Sequence, residues 1–228
     1  MNGKRSKFLF SLVLVCLSFS FVSTASAQAP PAVQERIAAI KQSLAKSKQT
    51  LQQYEWIETT TVILKGEQKA QIMDKCYYGM DGKVQKVPVL PPQGGSSKKK
   101  EELQDYVKSA IALLQKYVPP DPTMIQRCVD LGKVSIQKMV PGASATLAFS
   151  DFLLPGDNLS IALELVKNNI TGSNVNTYLD TQKDPVTVNV GFGSLLDGTT
   201  YPANIVLNLP SKKLQLEVQT SGYRKAGS

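Results

Sequence analysis

Apolar and polar residues alternate in three consecutive segments that begin at Pro185. The segments read PVTVNVGFG, YPANIVLNL and KKLQLEVQT, and apolar residues recur at every second position in each. Side chains of a β-strand point alternately to its two faces, so each segment predicts a strand with one apolar and one polar face. Asp197-Gly198 and Pro210-Ser211 mark the turns between them. The pattern predicts neighbouring antiparallel strands whose apolar faces cover something in the interior.

Further strands are predicted on both sides of this region. The stretches YEWIETTTVIL, KAQIMDKCYYGM and KVQKVPVL lie nearer the N-terminus, and VSIQKMV, SATLAFSDFLL, NLSIALELV and NVNTYLDT lie between them and Pro185. They are rich in β-branched and aromatic residues, and turn signals separate them about every 10 residues, which is typical of an antiparallel meander. One sheet of about eight to ten strands is expected.

Helical periodicity appears in three places. Val33, Ile37, Ile40, Leu44 and Leu51 form an apolar stripe in a helix from about Pro31 to Gln53. A second stripe runs through residues 103–117, and a shorter helix is expected from Pro122 to the residue before Gly132. Because the apolar face of the sheet needs a cover, the predicted fold is α+β, with a curved antiparallel sheet forming an incomplete β-barrel wrapped around amphipathic helices.

The N-terminus has the three parts of a secretory signal. Lys4, Arg5 and Lys7 precede an apolar run from Phe8 to Val22, and Ala25-Ser26-Ala27 offers a cleavage site. Residues 1–27 are therefore predicted to be removed, leaving a single domain over 28–228 with a flexible loop at 88–100. The expected location is the bacterial periplasm or the medium.

Charge and composition narrow the function. The chain has 26 Lys and Arg against 18 Asp and Glu, and the leader holds three of the bases, so 23 remain against 18. The only tight basic run, Lys98–Lys100, lacks interleaved aromatic residues, and no nucleic-acid binding is expected.

The sequence contains no histidine. Ser-His and Cys-His catalytic pairs are therefore excluded, as are zinc sites of the ordinary type. The Ser43–Lys46 and Ser135–Lys138 pairs match a short S-x-x-K motif but lack the S-D-N and K-T-G elements that accompany it in penicillin-recognising enzymes. A hydrolase is the weakest hypothesis, and no enzyme activity, metal or cofactor is predicted.

Two cysteines remain after the leader, Cys76 and Cys128. In an exported protein an even pair suggests a disulfide. Two separate buried thiols are the alternative, because free cysteine is among the most buried residue types. The spacing leaves both readings open.

The order of elements resembles the LolA/LolB-like superfamily of bacterial periplasmic lipoprotein carriers. The stretches that carry this resemblance are QQYEWIETTTVILKGEQKAQIMDKCYYGMDGKV and VTVNVGFGSLLDGTTYPANIVLNL. The resemblance implies a half-barrel around a hydrophobic cavity that helices cover, and it implies binding of acyl chains or lipoproteins in the periplasm. The resemblance also implies an arginine within the cavity that helps to hold the lid. Arg36 and Arg127 lie in or near predicted helices, but neither is an identifiable counterpart of it.

These observations lead to two hypotheses. The first is a non-catalytic, monomeric periplasmic protein that binds a lipid or lipoprotein acyl chain between sheet and helices, with peripheral membrane contact. The second is a structural or protein-interaction module of the cell envelope with a filled core and no small-molecule ligand. For the first, the predicted cavity lining is Val188, Val190, Phe192, Ile205, Leu207, Leu216, Ile40, Leu44, Ile111 and Trp56.

Overall fold

The computed structural model describes residues 30–89 and 98–226, which contain three α-helices, ten β-strands and one short 3₁₀ helix. The predicted leader, and residues 90–97 of the predicted loop, lie outside the described residues. The helices are α1 (Pro31–Leu51), α2 (Lys98–Tyr117) and α3 (Pro122–Asp130). The strands are β1 (Tyr54–Leu64), β2 (Glu67–Tyr78), β3 (Val84–Pro88), β4 (Val134–Val140), β5 (Ser144–Ser150), β6 (Asn158–Glu164), β7 (Asn169–Tyr178), β8 (Pro185–Ser194), β9 (Thr200–Leu209) and β10 (Leu214–Lys225).

All ten strands form one antiparallel sheet. Their order is β3-β2-β1-β10-β9-β8-β7-β6-β5-β4, so each strand neighbours the next along the chain except where β1 pairs with β10. β3 and β4 are the two end strands and do not pair with each other, which leaves the barrel open. The predicted α+β fold, a curved and unclosed antiparallel sheet with helices on one face, is confirmed.

The register brings the alternating residues onto one face. Val188 lies opposite Leu207, and Leu207 lies opposite Leu216. Directly opposed residues of antiparallel strands point to the same side, and these three are buried. Thr187 and Asn189 take the other face of β8, as the alternation predicts.

α1 covers the apolar face of the sheet. Its buried residues Val33, Ile37, Ile40 and Leu44 recur at helical spacing, and the helix lies against β7, β9 and α3. Pro31 occupies the first turn, where its missing N–H costs nothing. Lys41 Nζ donates to Gln126 Oε1 at 3.0 Å and links α1 to α3.

β5 is shorter than the sequence predicts. It ends at Ser150, whereas the apolar run continued the expected strand to Leu154. Asp151 has a left-handed backbone (φ 49°), and residues 151–157 form a loop around the Asp157 carboxylate. The local polar contacts therefore override the strand propensity of this run.

Candidate functional site on the concave face of the sheet

The apolar face of the sheet and the helices share one buried cluster. Its members come from α1, α2, α3 and strands β5 to β10. Of the predicted lining residues it contains Val188, Val190, Ile205, Leu207, Leu216, Ile40 and Leu44, with Phe192 and Ile111 half-buried against it. The structure therefore brings nine of the ten predicted residues together.

This central layer is closed. Ile40 is 0% exposed and Leu207 1%, and Val188 and Leu216 are equally inaccessible. A space large enough for a water molecule would leave accessible surface on the side chains around it. The described side chains of α1 and the sheet therefore meet directly in this layer.

One hydroxyl in the closed layer has no hydrogen-bond partner. Ser173 lies on β7 opposite Ile161 and Val190, both buried, and its Oγ is unpaired. On α1, the Nε of Arg36 is likewise buried without a partner. Leaving a buried polar group unpaired costs roughly 1–3 kcal/mol. The closed layer therefore carries a polar penalty at Ser173.

The concave face continues beyond the closed layer into a strip that is open to solvent. We define the open strip as Val62 and Leu64 on β1 and Ile72 on β2. On β1, Val62 lies between Leu216 of β10 and Ala70 of β2. Two residues earlier on the same strand, Thr60 lies between Val218 of β10 and Ile72 of β2. Val62 and Leu64 are half-buried against the core cluster, whereas Ile72 is 49% exposed. The strip is therefore an uncovered extension of the buried apolar face.

Charged residues border the open strip. Glu58 on β1 forms an ion pair with Lys86 on β3, and Asp74 lies between them on β2. A ligand along the strip would therefore meet apolar side chains on the Val62 side and a polar border on the Glu58 side.

Trp56 lies outside the core cluster, in an aromatic group at the end of the sheet. Its ring stacks on Tyr223 with centroids 5.5 Å apart and also contacts Tyr78 at 5.7 Å. Tyr201 lies 4.3 Å from Tyr223. The predicted position of Trp56 in the lining would require a ligand that reaches this end of the sheet.

A buried carboxylate escaped the sequence analysis. Asp157 accepts hydrogen bonds from the backbone N–H groups of Phe152, Leu153 and Leu154, the last two at 3.0 and 2.9 Å, and from the Tyr117 hydroxyl. Burial, followed by this bond, raises the pKa of Tyr117. In the sequence Gly156-Asp157-Asn158 is typical of a plain turn, and the only signal of a buried carboxylate is the apolar run directly before it.

Hydrogen bonds and a ring contact also attach α2 to the turns beneath it. The Tyr106 hydroxyl donates to the Asp184 carboxylate in the β7–β8 connection at 3.0 Å. Lys212 Nζ lies 5.5 Å from the centroid of the Tyr106 ring. α2 is therefore fastened at the end of the barrel that also holds Asp157.

Cys76 and Cys128 are both free and buried. Cys76 lies on β2 opposite Trp56, whereas Cys128 lies on α3 within the core cluster. Burial raises the pKa of the Cys76 thiol to about 12 and also raises that of Cys128. Of the two alternatives that the sequence left open, this structure contains the separate thiols.

Residues 30–89 and 98–226 hold no group of three or more cysteine or acidic side chains suited to a metal ion. Within the same ranges, no helix combines the length and apolar character needed to cross a bilayer.

Comparison with solved structures finds similar folds. A DUF1329 family protein from Desulfovibrio piger is similar over 86% of this chain and 94% of its own, with 13% identity and a TM-score of 0.49. A putative outer membrane lipoprotein-sorting protein domain from Vibrio parahaemolyticus covers the same shares at 10% identity and a TM-score of 0.39. A LolA superfamily protein from Nitrosomonas europaea is similar over 83% of this chain and 94% of its own, with 9% identity and a TM-score of 0.35.

At identities of 13% or less these similarities concern the fold alone. No protein-family model matches the chain, and no curated protein is significantly similar to it.

Proposed function

We propose that this protein is a non-catalytic, monomeric carrier of the bacterial periplasm that binds an acyl chain of a lipid or lipoprotein on its concave face. The observation that carries the proposal is the open strip, in which the half-buried Val62 and Leu64 continue the buried core cluster toward the exposed Ile72. Each CH₂ group that leaves water for such a surface gains about 0.8 kcal/mol. The resemblance of the sequence to lipoprotein carriers implies the same class of ligand.

We assign the role of a lid to α1. The closed layer leaves no space for a chain beside Ile40 and Leu207, so deeper binding requires this helix to move away. The unpaired Ser173 hydroxyl favours such a movement, because it gains partners from water or ligand once the layer opens. The predicted lining residues of β8, β9 and β10 would then face the ligand together with the open strip.

Two adjacent residues of β2 provide a test. Ile72 faces the concave side and Met73 the opposite side, and both are exposed, so a charge at either position is tolerated by the fold. We expect Ile72→Glu to weaken binding of a fluorescent fatty acid at least ten-fold and Met73→Glu to leave it unchanged. Native mass spectrometry of protein purified from a bacterial periplasm should show bound lipid in the Met73→Glu variant and much less in the Ile72→Glu variant.

The second candidate is an envelope module with a filled core and no small-molecule ligand. The direct contact between α1 and the sheet favours it. It predicts that the unaltered protein binds no fatty-acid probe and carries no lipid, and that result would replace the carrier proposal. Equal loss of binding in the Ile72→Glu and Met73→Glu variants would indicate that the ligand does not bind on the concave face.

A further inference from the structure

Large apolar side chains lie in, or directly beside, four hairpin connections. Met80 lies in the β2–β3 turn, Val140 at the β4–β5 turn, Val166 in the β6–β7 turn and Leu196 in the β8–β9 turn. Met80 and Leu196 are fully exposed (109% and 111%), and Val166 and Val140 are 75% and 44% exposed. We call these four residues the apolar rim. Turns are normally built from polar residues and glycine, so the repetition is unusual.

The topology places the whole apolar rim at one end of the half-barrel. In an antiparallel meander, every second connection falls at the same end. The registers confirm the arrangement, because Ser144 pairs with both Val140 and Glu164, and Ser194 at the same end pairs with Thr200. The rim residues are thus separated along the sequence but share one edge of the sheet.

The opposite end has a different character. Its hairpin connections are Lys65-Gly66, residues 151–157, residues 179–184 and residues 210–213. In the described chain none of these four connections contributes a large exposed apolar side chain, although Leu131, which follows α3, is exposed at that end. α2 is bonded to this end through Tyr106 and Asp184. The two ends therefore differ in both polarity and cover.

Basic residues accompany the apolar rim. Lys83 follows Met80 by three positions, Lys138 precedes Val140 by two, and Lys167 directly follows Val166. The acidic side chains at these turns have local partners: Asp81 accepts from the Lys83 N–H at 3.0 Å, and Asp197 accepts from the Thr199 N–H and the Tyr54 hydroxyl. Glu164 forms an ion pair with Lys167 at 3.5 Å, which leaves Lys83 and Lys138 as the lysines of the rim without an acidic partner among the described residues. Lysines beside exposed apolar side chains match a bilayer surface, in which anionic headgroups cover an apolar hydrocarbon layer.

We propose that the apolar rim is a docking surface for a bilayer containing anionic lipid. The four rim side chains are separate from one another, and the fluid hydrocarbon of a bilayer accepts each of them independently. A folded protein partner would instead need a continuous complementary patch of about 800 Å² on each side. Lys83 and Lys138 provide attraction to anionic headgroups at about 1 kcal/mol each near the surface. This inference does not depend on a ligand in the concave face and would survive if none were found.

Vesicle sedimentation tests the proposal with protein that a bacterial host has exported and processed. We expect the unaltered protein to bind vesicles of phosphatidylcholine with phosphatidylglycerol, and to bind phosphatidylcholine vesicles several-fold less. The triple variant Met80→Ser, Val166→Ser, Leu196→Ser should reduce the partition coefficient at least ten-fold. The matched control Leu131→Ser, Val87→Ser also removes exposed apolar side chains, but from the opposite end and from β3, and should bind like the unaltered protein.

Site-specific labelling gives a second measurement that does not rely on loss of binding. Cys76 and Cys128 are buried with raised thiol pKa values, so an exposed cysteine introduced at position 80 or 131 reacts selectively with an environment-sensitive dye. We expect a dye on Met80→Cys to shift to the blue when anionic vesicles are added. The same dye on Leu131→Cys should keep the spectrum it has in water.

Three outcomes would overturn the proposal. One is absence of binding of the unaltered protein to either vesicle. Another is equal loss of binding in the rim variant and the control. The third is a dimer, seen by sedimentation velocity in the unaltered protein and lost in the rim variant, because the rim would then join two copies of the chain.

Discussion

Asp157 organises the end of the barrel beneath α2. It is buried, and it gathers three consecutive backbone N–H groups with the Tyr117 hydroxyl, which also bonds to Thr177 at 2.9 Å. Asp157 thus connects the β5–β6 loop to α2, and through the Tyr117 hydroxyl to β7. Charge-assisted bonds of this kind are about twice as strong as neutral ones.

Replacing this carboxylate should destabilise the protein strongly. We expect Asp157→Ala to lower the free energy of unfolding by roughly 3–5 kcal/mol, because several buried donors then lack a partner at roughly 1–3 kcal/mol each. Urea unfolding followed by circular dichroism measures the change. Asp105→Ala, which removes an exposed helical carboxylate paired with Lys108, is the control and should change stability by less than about 0.5 kcal/mol. Equal effects of the two substitutions would contradict this role of Asp157.

The cysteines permit a prediction about reactivity and pH. The pKa of Cys76 is raised to about 12 from an ordinary value near 9, so the folded thiol stays protonated where the unfolded one ionises. Burial of the protonated Cys76 thiol therefore contributes fully to stability below pH 9. This contribution decreases as the pH rises above 9 and is lost once the pH passes 12. At pH 8 we expect iodoacetamide to modify neither cysteine in the folded protein and both in guanidinium chloride.

The same residues test the disulfide alternative. Because both thiols are free in the structure, adding a reductant should leave the melting temperature and the number of titratable thiols unchanged. An increase from no thiols to two on reduction would instead establish a bond between Cys76 and Cys128.

At the scale of the element, an irregularity in β10 positions the aromatic group. Ser221 pairs with Ile57 and Arg224 with Glu55, so Gly222 and Tyr223 together lie opposite Trp56. Gly222 has a left-handed backbone (φ 63°), which an L side chain adopts at a cost. The bulge turns Tyr223 onto the Trp56 ring at an interplanar angle of 14°.

A branched residue at this bulge should disturb the element. Gly222→Val should lower the free energy of unfolding by about 1–3 kcal/mol, since β-branched side chains are strained at positive φ. Ile57 Cγ1, 3.8 Å from the added Cβ, leaves room, so the effect comes from the backbone. The fluorescence of Trp56, the only tryptophan in the chain, should change with it. Gly222→Asn is the control with a smaller expected loss, and equal losses would contradict the strain argument.

At the scale of the whole molecule, the closed layer between α1 and the sheet decides how the protein responds to changes in its interior. Residues that line an open cavity can be shortened at little cost beyond their transfer free energy. Residues in a filled core leave an additional void when shortened. Leu207 is 1% exposed and is therefore a residue of a filled core.

Leu207→Ala therefore distinguishes the two states of the interior. We expect a loss of about 2–5 kcal/mol in the free energy of unfolding, the range for leucine in a packed core. Val206→Ala, on the outer face of β9 beside it, should cost less than about 1.5 kcal/mol. A loss at Leu207 no larger than at Val206, measured by urea unfolding, would show that the layer is open in solution.

Much of the architecture was predictable because strand and helix periodicities are local. The alternation in β8 to β10 assigned Val188, Leu207 and Leu216 to the inner face, since successive side chains of a strand must diverge. The stripe of Val33, Ile37, Ile40 and Leu44 identified the helix that covers them, because 3.6 residues complete a turn. The number of such segments predicted an open sheet of about eight to ten strands, and the sheet has ten.

Tertiary structure decided everything that depends on partners distant in sequence. The sequence by itself indicates only a turn at Asp157, because Tyr117, 40 positions earlier, meets it only in the fold. Trp56 packs on Tyr223 and not in the core cluster, because the bulge in β10 places the Tyr223 ring against it. The alternation of apolar and polar residues predicted which side of the sheet faces inward. Whether Leu207 contacts α1 depends on how completely the side chains fill the space between helix and sheet, and the periodicity of a sequence does not specify that. The apolar rim likewise exists because strand pairing brings four distant turns to one edge.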